Sequence, residues 1–142
     1  MVTFKFDVFP ISVNKLYSTK FGQRRRFLTT EGRKFKEHIN DEVAKSLANI
    51  AFHKEVSSFV GKLLAVELDV YSSSWLLKNQ QTIRVKDIGN IEKALLDAIF
   101  SAFNENSISL DDSQIWSLTL TKHFSTNPDT TVVSIKEFEG TV

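Results

Sequence analysis

Leu63-Leu-Ala-Val-Glu-Leu-Asp-Val-Tyr71 sets the frame. Leu64, Val66, Leu68 and Val70 fall on one side, the period-two signature of a strand with one buried face. Toward the N-terminus, Val2, Phe4, Phe6 and Val8 alternate in the same way until Pro10, and Ile11 to Asn14 reads as a turn. Phe27-Leu28-Thr29 reads as a short strand, and Thr29 or Thr30 caps a helix. That helix carries Phe35, Ile39, Val43, Leu47 and Ile50 on one stripe and Lys34, Glu37, Asp41 and Lys45 opposite.

Toward the C-terminus, Ser72 to Gln81 is a polar connection, and Thr82 to Val85 is again extended and delivers the chain to Lys86-Asp87. A second helix comes next, with Ile88, Ile91, Leu95, Ala98 or Ile99, and Ala102 on one face, ending at Asn104 to Ser107. Ile108 to Asp112 leads into a further strand, in which Ile115, Leu118 and Leu120 keep the alternation only in part. Thr130 to Phe138 alternates as the last strand. Strands and helices in this order predict an α+β fold: a mixed sheet of four to six strands with two main helices packed on it.

At 142 residues the chain is read as one domain, 1–142. With no cysteine it has no disulfides, thiolate zinc sites or Cys nucleophiles, which suits a reducing, cytoplasmic setting. No apolar run is long enough for a membrane span, and Met1 to Asp7 lacks the pattern of a secretory signal. Net charge is only +1, but its distribution is uneven. Lys15, Lys20, Arg24, Arg25, Arg26, Arg33, Lys34 and Lys36 face a single acid, Glu31, within one stretch. A run of one sign suits a phosphate-binding surface, or else a solvated loop and helix face.

The acids sit where elements begin. Asp87 precedes the second helix, and Asp111-Asp112 precedes a strand. Taken singly they read as a helix cap and a turn. Together, with the helix carrying the chain back across the sheet, they are expected to meet at one sheet edge. Carboxylates without His or Cys form a site for a hard cation such as Mg²⁺ or Mn²⁺. Lys93, six residues after Asp87, adds a positive charge. Metal, carboxylates and a lysine are the minimum equipment for phosphodiester hydrolysis.

Asp87-Ile-Gly89-Asn90-Ile-Glu-Lys93-Ala-Leu-Leu-Asp97 with, further on, Asp111-Asp112-Ser-Gln114-Ile115 resembles the RusA-type Holliday junction resolvases, whose pattern is roughly D-x-D-N-x-x-K-x-x-x-D and then an Asp-Asp-x-Gln segment. Pro10-Ile-Ser12-Val-Asn14-Lys-Leu-Tyr17 and Leu28-Thr-Thr-Glu31-Gly32-Arg33 are also similar to that family's opening segments. The resemblance implies a dimeric Mg²⁺-dependent endonuclease (Mn²⁺ as a substitute) acting on four-way junction DNA. It implies Asp87 and Asp112 as metal ligands, with Asp111 beside them as a helper or structural acid. Lys93 would contact the scissile phosphate, while Asn90, Asp97 and Gln114 would be supporting positions. Lys15, Lys20, Arg24, Arg25 and Arg26 are the expected DNA contacts. On helix spacing alone, Asp97 reads as an i,i+4 partner of Lys93.

Gly89 departs from the pattern, standing where the family has its second Asp. Glycine offers no side-chain ligand, and it is a poor first-turn helix residue, so folding gives no reason for it. Three readings account for it: an inactivating substitution, a natural variant that cuts slowly or recruits Asp111 as a replacement ligand, or a junction-binding protein that no longer cuts. A further rival is a protein-interaction module using the chain's 12 phenylalanines. His38, His53 and His123 lack metal-ligand spacing, and Trp75 reads as a core or dimer-contact aromatic, with base stacking at a branch point as the alternative.

Overall fold

The computed structural model describes residues 1–11, 17–19, 26–75 and 88–140. Its elements are β1 (Val2–Phe6), β2 (Tyr17–Thr19), β3 (Arg26–Leu28), α1 (Thr30–Leu47), α2 (Ile50–Ser57), β4 (Leu64–Ser72), α3 (Ile88–Glu105), β5 (Ile115–Phe124) and β6 (Thr130–Glu137). Single 3₁₀ turns precede the connection after β4 (Ser73–Trp75) and open β5 (Asp112–Gln114).

The main sheet has the order β1-β6-β4-β5, and β2 and β3 form a separate antiparallel pair. β6 is antiparallel to both β1 and β4, while β4 and β5 are parallel. A parallel pair needs a crossover, and α3 supplies it. The fold is α+β, with a four-stranded mixed sheet and three helices among the described residues.

Val2, Phe4 and Phe6 of β1 are buried, as are Leu64, Val66, Leu68 and Val70 of β4. All but Val70 share one cluster with Phe35, Ile39, Val43 and Leu47 of α1 and Leu95, Ala98, Ile99 and Ala102 of α3, while Val70 and Ile91 of α3 form a smaller one with Trp75. Phe4 is central, stacked on Phe6, edge-on to Phe52 and tilted against Phe103. Each such side chain contributes on the order of 1.5–3 kcal/mol by leaving water.

The long first helix expected from the apolar stripe is two helices. α1 is capped by Thr29, whose Oγ1 accepts from the Gly32 N–H at 2.9 Å. α2 is capped anew by Asn49, whose Oδ1 accepts from the Phe52 N–H at 3.0 Å. The break gives α2 a facing of its own, so Ile50 is 80% exposed rather than on the buried stripe.

β5 shows why its alternation is partial. Leu64 pairs with Ile115 but Ala65 pairs with Ser117, so a bulge skips Trp116. The extra residue puts Ile115, Leu118 and Leu120 beside the inward positions Leu64, Val66 and Leu68 of β4. Trp116 is extruded, 55% exposed, against Phe138. No described helix is long and apolar enough to cross a membrane.

Candidate active site

The end of α3 aims the acidic pair. Ser107 takes a left-handed conformation with φ 67°. Its N–H bonds the Asn104 carbonyl at 3.1 Å, and the Ile108 N–H bonds the Phe103 carbonyl at 2.9 Å. This double closure ends the helix and sends the chain back. Ile108 and Phe103 are both buried in the core, which adds the apolar contact typical of the motif. Asn104 Nδ2 then donates to the carbonyls of Phe100 and Leu110, both at 2.8 Å, fixing the return segment against the helix it left.

Asp111 caps the next 3₁₀ turn, its Oδ1 accepting from the Ser113 N–H at 2.8 Å. Gln114 completes a capping box, its Oε1 accepting from the Asp111 N–H at 2.8 Å. Gln114 Nε2 also donates to the carbonyls of Phe59 and Lys62 at 3.0 and 2.8 Å, tying the turn to the α2–β4 connection. The Asp-Asp-x-Gln segment is therefore a rigid mount, and Asp112 is what it presents.

Asp112 opens onto a cleft of about 390 Å³ beside α3, shared with Asp97, Ser101, Glu105 and Asp111. Its carboxyl is pushed above the ordinary aspartate range, first by partial desolvation. The hydrogen bond with Asp111 and the charges of Asp111 and Asp97 push the same way, against a Ser113 N–H. Asp111 goes down instead, held ionised chiefly by the Ser113 N–H and then by hydrogen bonds from the Ser113 side chain and Asp112. Paired carboxyls whose environments drive them apart are typical of sites that bind cations or move protons.

Asp97 makes an ion pair with Lys36 of α1, 2.9 Å between Nζ and Oδ2. Lys93 is exposed, one turn or about 6 Å before Asp97 along α3. Ile88 lies nine residues before Asp97, roughly 13 Å along the axis. At that end, Trp75 is buried, donates from Nε1 to the Val70 carbonyl at 3.0 Å, and packs with Val70 and Ile91. Lys122 lies over its ring, 4.7 Å from the centroid. Trp75 is thus a core aromatic, as its sequence context favoured.

The chain matches the family described as Endodeoxyribonuclease RusA over residues 8–136. It belongs to the RusA endodeoxyribonuclease family. No curated protein matches it. For a RusA-type Holliday junction resolvase, the Asp111–Gln114 turn and the α3 cleft are the described parts of the expected site. Asp87, Lys15, Lys20, Arg24 and Arg25 lie outside the described residues, Arg26 is placed only as the first residue of β3, and Gly89 and Asn90 only as first-turn positions of α3.

All-oxygen donors such as Asp97, Asp111 and Asp112 suit a hard divalent cation. Among the described residues, however, no three His, Cys, Asp or Glu side chains are grouped closely enough to hold one. Sequence reading missed the Lys36–Asp97 pair, because helix spacing offered Lys93 as the local partner and says nothing of which residue α1 brings across.

Proposed function

We propose that this RusA-family chain is a structure-selective endonuclease that acts as a homodimer on four-way DNA junctions, in the cytoplasm, with Mg²⁺ or Mn²⁺ as cofactor. The observation that carries the reading is the family match over residues 8–136 joined to the mounted Asp111–Asp112 pair facing α3. A four-way junction has symmetry-related strands to cut, and a two-fold dimer would present one site to each.

Asp112 and Asp87 are the proposed metal ligands. Asp111, one oxygen committed to its turn, stands beside Asp112 as a helper or structural acid. Lys93 is the proposed contact to the phosphate being cut, and the basic residues Lys15, Lys20, Arg24, Arg25 and Arg26 hold the junction through its backbone. A divalent cation in such a site activates water and neutralises charge developing on the phosphoryl oxygens.

Gly89 supports a second reading, a chain that binds the junction and cuts it poorly or not at all. Nicking of a synthetic junction against a linear duplex of the same sequence, with Mg²⁺ and with Mn²⁺, tests both. Junction-selective nicking supports the enzyme reading. Binding without nicking supports the second, and no binding to junction DNA at moderate salt overturns both.

A further inference from the structure

The basic stretch and the acidic cleft are far apart in sequence, yet among the described residues they meet where Lys36 Nζ lies 2.9 Å from Asp97 Oδ2. Lys36 is the last of the stretch's basic residues and, among the described residues, the one that forms an ion pair with a residue lining the cleft. Its side chain is 27% exposed and that of Asp97 48%, so the pair stands at the mouth of the cleft rather than beneath it. A pair that open adds little to folding stability. Asp97 does something else for Lys36. It holds a flexible four-carbon stem in one place and so removes entropy that would otherwise be lost on binding. An ammonium has three donors and can hold a carboxylate and a phosphate at once.

We propose that Lys36, steadied by Asp97 as a positioning residue, binds a phosphodiester of the DNA at the mouth of the Asp112 cleft, beside the proposed cutting site rather than out on the junction arms. The inference rests on the DNA-cutting reading and adds one residue and one contact to it. A cation there also offsets the cleft's own carboxylates, which would otherwise repel the backbone they have to receive.

The test is junction binding across a salt series by the full-length chain, in Ca²⁺ to suppress cutting, with Lys36→Ala, Lys36→Arg, Asp97→Asn and the double variant Lys36→Ala/Asp97→Asn. Lys36→Ala is expected to weaken binding about fivefold or more and to reduce the slope of log K against log salt by about 0.9, the value for one lost phosphate contact. Lys36→Arg keeps the slope. Asp97→Asn keeps the slope too, because the cation remains. The double variant decides between the phosphate contact and a purely structural counter-ion. If Lys36 served only to neutralise Asp97, removing both charges would restore affinity and slope, and that result overturns the inference. A double variant that still lacks one unit of slope supports it. A slope unchanged in Lys36→Ala overturns the inference while leaving the DNA-binding reading intact. No junction binding by the unaltered chain overturns that reading and this inference with it.

Discussion

Asp111 and Gln114 hold each other: the Asp111 carboxylate caps the turn that contains Gln114, and the Gln114 side-chain Oε1 accepts from the Asp111 N–H at 2.8 Å. Because Gln114 Nε2 also anchors on the Phe59 and Lys62 carbonyls, the turn cannot rock without breaking bonds to another part of the chain. Gln114→Ala should therefore cost about 2–3 kcal/mol in a urea melt, three hydrogen bonds at a net worth of about 1 kcal/mol each. It should also lower nicking at temperatures where the protein is still fully folded, since Asp112 loses its mount. Nicking equal to the parent chain's under those conditions would show that the turn positions nothing.

Ser107 adopts φ 67°, a conformation that an L-residue enters at a cost. Relief of that strain is worth roughly 1–2 kcal/mol, less the extra entropy a glycine brings to the unfolded chain. Ser107→Gly should thus raise stability by about 0.5–1 kcal/mol, read as a higher urea midpoint with an unchanged slope. A lower midpoint would mean that the Ser107 side chain supports the α3 end in some other way.

Periodicity revealed the elements and missed their joints. Val2, Phe4 and Phe6, and the stripe from Phe35 to Leu47, are buried as the pattern demands, because burial of one face is what creates the pattern. The same stripe ran on to Ile50, and only Asn49, a strong cap with no other mark in the sequence, divides α1 from α2. The broken alternation of β5 held its explanation in the pairing partner, since a bulge is a property of two strands and not of one. The site was legible to the extent that it is local. The motif marked Asp111, Asp112 and Gln114, but which cation faces Asp97 depends on how α1 packs beside α3, and no local spacing encodes that.

The raised carboxyl of Asp112 makes metal-free stability fall with pH. The folded protein holds that proton above the unfolded value of about 3.9, so between that pH and the raised value it binds more protons than the unfolded chain does. Its share of stability is present at low pH and is lost as pH rises through the folded value. Asp111, shifted down, acts with the opposite sign below the ordinary value and does not cancel it there. Asp112→Asn should flatten this part of the pH profile and raise metal-free stability above it. In the parent chain Mg²⁺ or Mn²⁺ should raise the melting temperature by mass action, and in Asp112→Asn it should not. An equal metal-induced rise in both would take Asp112 out of the ligand set.

Arg24, Arg25 and Arg26 lie in the stretch of highest positive charge density. Replacing all three by Ala should weaken junction binding and shallow its salt dependence, because each phosphate no longer neutralised removes its share of released counterions. The loss should be similar for junctions of different sequence, since backbone contacts carry no base information. A salt slope identical to the parent's would make the segment a solvated loop.

Gly89 stands in the first turn of α3, where the resemblance leads us to expect a second Asp. Binding, on the proposed reading, rests on Lys and Arg contacts to phosphates, in which a glycine takes no part. Cutting, on the proposed reading, rests on a correctly held divalent cation, from which the transition state gains more than the bound ground state does. The chain should therefore bind a four-way junction about as tightly as Gly89→Asp does and cut it at least about a hundredfold more slowly, a difference of about 2.7 kcal/mol in activation free energy. Single-turnover nicking with saturating Mg²⁺ separates the two quantities, because it reads the chemical step without product release. Equal nicking rates would mean that position 89 supplies no ligand in this protein. Asp111 would then be the candidate for the third carboxylate, and Asp111→Asn, which keeps an oxygen to cap the turn, should abolish the remaining cutting.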